Sequence, residues 1–125
     1  MAVVPVKLPG MAYDQELADR IRMVIGGDPA LTAALTEKKM FGGLAFMIGG
    51  HLAISASGSG GVLVRVDPAE TGRLVATTSA RVAVMGGRER NGWLRVGPAE
   101  VDGDEGLIPW VERGTAYARS LPPRR

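Results

Sequence analysis

Residues 39–66 read KMFGGLAFMIGGHLAISASGSGGVLVRV, and this stretch decides the fold. Residues 39–48 are apolar with an alternating, β-type pattern. Gly49-Gly50 makes a turn, and the alternation resumes over residues 52–57. Gly58-Ser59-Gly60-Gly61 is a second turn, and residues 62–66 form a third strand. Short alternating runs separated by glycine turns specify hairpins.

Helical segments flank this block. Residues 14–25 place Leu17, Ile21, Val24 and Ile25 on one helical face, with Asp14 as N-cap and Gly26-Gly27 as the stop. Residues 28–37 open on Asp-Pro and hold one short helical turn before the chain extends. Downstream, Asp67-Pro68 sets a capping carboxylate before a proline at the first helical position, and Ala69, Arg73, Leu74 and Ala76 carry that helix to about Thr77. Residues 81–87 and 93–97 form a second β pair, joined by a polar loop that ends in Asn91-Gly92, a strong turn signal. The last helix starts near Ile108-Pro109, presents Trp110, Val111, Gly114, Tyr117, Ala118 and Leu121 on one face, and ends at Pro122-Pro123.

The expectation is an α+β fold of two layers in the order α-β-β-β-α-β-β-α. Its five-stranded, mainly antiparallel sheet has helices on one face. Residues 1–10, broken by Pro5 and Pro9, read as a disordered extension rather than a signal peptide, with Met11 as an alternative start. Residues 11–125 read as one domain, the default at this length.

Composition narrows the chemistry. With 46% hydrophobic and 22% charged residues the chain is globular, and no apolar run reaches membrane-spanning length. The expectation is a cytoplasmic protein without a membrane. Cysteine is absent, which removes disulfides and thiolate chemistry. A metal site is not expected either, since His51 is the only histidine and the carboxylates are dispersed. No cofactor is expected. Twelve arginines stand against three lysines, yet net charge is only +2.

Near-miss motifs lack a required residue. Gly58-Ser59-Gly60-Gly61 has Leu63 where a dinucleotide loop needs its last glycine, and Gly87 to Gly92 is followed by Trp93-Leu94 rather than the Lys-Ser/Thr of a phosphate loop. Ser55 and His51 share one side of a strand but sit too far apart to act as nucleophile and base.

Several quoted runs carry a family likeness. KKMFGG at residues 38–43, LAFMIGGH at 44–51, VLVRVDP at 62–68, GWLRV at 92–96 and WVERGTAYARSLPP at 110–123 appear in order. Together they resemble the N-terminal domain of the TfoX/Sxy family. The resemblance implies the same strand and helix order and a fold similar to secretion chaperones. It also implies a link to natural-competence regulation with a cyclic-AMP-responsive transcription factor. The better-known members add a C-terminal helical domain; a stand-alone N-terminal-type domain is expected here. The resemblance brings no catalytic residues.

Strand parity locates the candidate site. If Leu44, Phe46, Ile54, Ala56, Val62, Val64, Val82, Val84, Leu94 and Val96 face the helices, the other face carries Phe41, Ala45, Met47, Ala53, Ser55, Leu63, Arg65, Met85, Trp93 and Arg95. Flanking loops or the N-terminal extension could cover so apolar a face. A docking surface is the functional reading. Its partner-binding candidates are Phe41, Met47, Leu63, Arg65, Met85, Trp93 and Arg95, and a homodimer is the simplest partner. Arg88 and Arg90, at an expected hairpin tip, are anion-binding candidates, and Lys38-Lys39 an edge gatekeeper.

A non-enzymatic regulatory or adaptor domain acting by protein contact is therefore expected. One alternative is nucleic-acid binding through the same aromatics and arginines. The other is a small-molecule binder or enzyme, which needs an enclosed pocket with convergent polar groups.

Overall fold

The computed structural model describes residues 13–40 and 42–124. The first helix, α1 (Gln15–Gly26), starts where expected. Asp14 accepts a hydrogen bond from the Leu17 amide, and Leu17, Ala18, Ile21 and Ile25 are buried. Asp28 caps α2 (Pro29–Ala34) by accepting from the Ala30 amide.

The chain then makes six strands rather than five: β1 (Leu35–Met40), β2 (Gly43–Ile48), β3 (His51–Ala56), β4 (Val62–Arg65), β5 (Arg81–Met85) and β6 (Arg88–Val96). The additional strand is β1. The expected single strand over residues 39–48 is split by a turn at Gly42, whose φ is +74°. Residues 35–40 then fold back along β2, Leu35 opposite Ile48 and Met40 opposite Gly43.

All pairings are antiparallel, in the order β1-β2-β3-β4-β6-β5. After β4, a 3-10 turn (Pro68–Glu70) and α3 (Thr71–Thr77) carry the chain over one face, so that β5 becomes the edge and β6 pairs with β4. The last helix, α4 (Asp104–Ser120), begins four residues before the expected Ile108-Pro109. Asp104 and Glu105 lie in its first turn, where carboxylates suit the positive end of the helix dipole. Burial of Val101 and Leu107 pins that turn, and Pro109 is carried inside the helix.

The main core lies between helices and sheet. Ile21 and Ile25 of α1, Leu74 of α3 and Leu107, Trp110 and Val111 of α4 pack on Phe46, Ile54, Val62, Val64, Leu94 and Val96. At roughly 1.5–3 kcal/mol for each fully buried large apolar side chain, this layer dominates the stability. Beyond α4 the tail folds back. The Arg124 amide donates to the Gly49 carbonyl over 2.8 Å, and His51 Nε2 donates to the Pro122 carbonyl over 2.6 Å.

Edge strand β1 is tied to α1 by charge. Arg22 donates from Nε and Nη2 to both carboxylate oxygens of Glu37, each over 2.7 Å. Those hydrogen bonds hold the Glu37 carboxyl below its ordinary value of 4.5. A depressed carboxylate pKa stabilises the fold above the ordinary value, and the contribution is lost as pH falls through the depressed one. Glu37→Gln is therefore expected to cost less than about 1 kcal/mol at neutral pH, because the pair is partly exposed. The difference from the parent in urea unfolding should close on acidification. A gap that stays constant down to pH ~3 would mean that the ion pair is not its source.

Candidate partner-binding face

Opposite the helices, the sheet carries a second apolar cluster built from strand residues alone. Ala45, Leu52, Leu63 and Ala83 are buried in it, and Met40, Met47, Met85 and Trp93 are half-buried around them. Among the expected docking residues, Met47, Leu63, Met85 and Trp93 thus meet on one surface. Phe41 lies outside the described residues.

Cross-strand register places the charges, because directly paired residues share a face. Lys38 pairs with Ala45, Arg65 with Trp93, Arg95 with Leu63 and Arg81, Arg90 with Ala83, and Arg88 with Met85. All these cations stand on the helix-free side. The carboxylates within the strands do not: Glu37 pairs with Phe46, and Glu89 with Val84, on the other face. None of these cations enters an ion pair among the described residues, whose pairs use Arg20, Arg22, Arg73 and Arg119. Arg95 instead donates from Nη1 to Ser57 Oγ over 3.3 Å.

At the β5–β6 end, Met85, Gly86, Arg90 and Trp93 line an open groove of about 270 Å³. That lies just under the ~300–1,000 Å³ of small-molecule pockets and suits a single inserted side chain or ring. The Arg65 guanidinium lies 5.2 Å from the centre of the Trp93 ring and 5.7 Å from that of Tyr117 on α4. Both distances are within cation–π range, so Arg65 links the face to the helix layer.

Three expectations need correction. The turn joining β5 and β6 is Gly86-Gly87, with φ of +63° and +76°, the signs a two-residue hairpin requires at both central positions. Asn91-Gly92 is not the hairpin turn. Arg90 and Leu94 oppose the successive residues Ala83 and Val82, which leaves residues 91–93 as a bulge inside β6. Arg88 and Arg90 are consequently strand residues beside the groove, not a loop tip.

In β3 a bulge exchanges Leu52 for Ala53. Phe46 pairs with Ile54 but Met47 with Leu52, so Leu52 joins the helix-free cluster while Ala53 packs with Ile48 and Ala118 under α4. Val84, expected in the core, is 57% exposed. By alternation it points to the helix side, at the end of β5 beyond the helix-covered core.

His51 and the serines do not converge. His51 bonds the C-terminal tail, while Ser57 Oγ meets Ser59 Oγ and Arg95. Among the described residues, no helix is long and apolar enough to cross a membrane.

The TfoX N-terminal domain model matches residues 30–118 of the 125-residue chain. The chain belongs to the TfoX N-terminal domain family. The family likeness seen in the sequence is thus confirmed, and the matched span holds the entire sheet, including its helix-free face. Comparison with curated proteins and with solved structures yields no match. Within this TfoX N-terminal domain the residues missing from the sequence expectation are Met40, Leu52, Ala83 and Tyr117. Met40 belongs to β1 and not to the strand of Leu44, because the chain turns at Gly42. Leu52 reaches this face only through the β3 bulge, whereas Ala83 follows from its alternation with Val82 and Val84.

Proposed function

We infer that this TfoX N-terminal domain is a non-enzymatic regulatory or adaptor domain that acts by protein contact through its helix-free sheet face. One observation carries the reading. The face combines an apolar floor of Leu52, Leu63, Ala45 and Ala83 with half-buried methionines and Trp93, and it is ringed by cations without ion-pair partners among the described residues. Aromatic, methionine and arginine side chains are enriched at interfaces, and the half-buried Met40, Met47, Met85 and Trp93, over a floor that is itself fully buried, are the apolar side chains a partner would reach. Family membership supports a regulatory role linked to competence or transcription, with a cytoplasmic setting.

Two copies face to face would set Lys38 and the five arginines of one protomer against the same set on the other. Like-charge juxtaposition opposes that arrangement. The reading therefore favours a different protein over a second copy. A photo-crosslinking residue at Met85 should give a discrete protein adduct in the native cell. The same residue at Val75, exposed on α3 in the helix layer, should give none. Equal labelling from both positions, or none from position 85, would remove the helix-free face as the contact surface.

A further inference from the structure

We propose that the helix-free face receives an acidic amphipathic protein segment, with apolar side chains on the methionine floor and carboxylates on the arginine rim. This rests on the contact-domain reading above and adds the chemistry of the partner.

Charge complementarity selects the sign. Lys38, Arg65, Arg81, Arg88, Arg90 and Arg95 share the face with no strand carboxylate among the described residues. A bound carboxylate would meet guanidinium groups with which it forms bidentate pairs.

The floor selects protein over nucleic acid. Sequence-tolerant binding of single strands uses aromatic side chains on which successive bases stack. Here the apolar side chains within reach are mainly Met40, Met47 and Met85, half-buried over the fully buried Leu52 and Leu63. Trp93 is the single aromatic among the described residues of this cluster, and Arg65 already lies over its ring. Methionine is unbranched and polarizable, and it adapts to varied apolar side chains on protein partners. The groove bounded by Met85, Arg90 and Trp93 has room for one anchor residue with a cation beside it. An apolar anchor flanked by acidic residues on a helix fits that pairing.

The test uses the full chain and four probes followed by fluorescence anisotropy. The first is a peptide of about 18 residues, roughly five helical turns, with leucines along one face and glutamates elsewhere. The second has the same composition with the leucines dispersed. In the third, lysine replaces glutamate, and the fourth is a mixed-sequence single-stranded DNA.

The first should bind at least about tenfold more tightly than the others, and weaken by at least about tenfold with R88E/R90E and with Trp93→Ala. Arg88 and Arg90 are exposed, so that double variant should melt like the parent, which separates lost contacts from lost folding. Tighter DNA binding overturns the inference in favour of a nucleic-acid face. Indistinguishable first and second peptides overturn it as mere charge attraction, and unchanged affinity in R88E/R90E removes the arginine rim. In each case the Met85 crosslink still decides independently whether the face is a protein contact.

Discussion

Gly114→Val should lower the melting temperature by at least about 10 °C, a loss of roughly 3 kcal/mol, as read from far-UV circular dichroism on heating. The reason is how α4 lies on the sheet. A Cβ at Gly114 would fall on the Ala53 carbonyl oxygen, 2.9 Å from the Ala53 carbonyl carbon and 3.2 Å from Val64 Cγ1. Backbone cannot swing aside as a side-chain tip can. The helix would have to rise off β3, against which Ala118 and Trp110 are also packed on the sheet layer. Removing a glycine from a helix interior recovers only about half a kcal/mol when valine replaces it, too little to offset the overlap.

Gly72→Ala supplies the contrast. It lies in α3 with nothing within 4 Å of the added Cβ, and should be neutral or stabilising by up to about 1 kcal/mol. Equal melting of Gly114→Val and the parent would show that α4 does not rest on β3 in this way. The consequence reaches the face. Tyr117 sits one turn beyond Gly114, and its ring neighbours the Arg65 guanidinium, so a lifted helix also loosens Arg65.

The part of the fold legible beforehand was the part governed by local rules. Asp14, Asp28 and Asp67 each cap the helical turn expected of them, through Leu17, Ala30 and Ala69. Gly49-Gly50 turns where alternation breaks, with both φ angles positive. Alternation also sorted Leu44, Phe46, Ile54, Val64 and Leu94 from Met47, Leu63, Met85 and Trp93.

What escaped was pairing. A bulge changes parity without any residue-level signature, and Leu52 therefore exchanged places with Ala53. Asn91-Gly92 carries the composition of a hairpin turn, yet Gly86-Gly87 supplies the tighter one and leaves Gly92 to a bulge. The sixth strand was hidden for a related reason. Glu37, Lys38 and Lys39 make a polar run without a strand-like apolar pattern, and what holds β1 is its hairpin ladder to β2 and the Arg22–Glu37 pair to α1. The arginines Arg65, Arg81, Arg88, Arg90 and Arg95 are a cluster the strands could bring together, but Lys38 joins them, and Arg88 and Arg90 move from a loop tip onto the face, only once the register is known.

Gly92→Val should couple the two themes, stability and the binding face, in one substitution. Gly92 has φ +85°, a region costing an L-residue about 1–2 kcal/mol and worse for a β-branched one. Its added Cβ would lie 3.0 Å from the Val66 carbonyl oxygen and 3.1 Å from Pro68 Cγ. The native position is held from both sides. The Gly92 amide donates to Thr71 Oγ1 over 2.8 Å, and its carbonyl accepts from the Val66 amide over 2.8 Å. Relieving the overlap must break at least one of these bonds, and the total expected loss is about 3 kcal/mol.

Unlike the Gly114 variant, the displaced residue is next to the site. Trp93 follows Gly92 directly, its ring faces Arg65, and it forms one wall of the groove. The fraction that remains folded at low temperature should therefore bind the acidic amphipathic peptide as weakly as Trp93→Ala does. Lowered stability with parent-like peptide affinity would separate the bulge from the face, and show that Trp93 is positioned by β4 and β5 rather than by the backbone turn at Gly92.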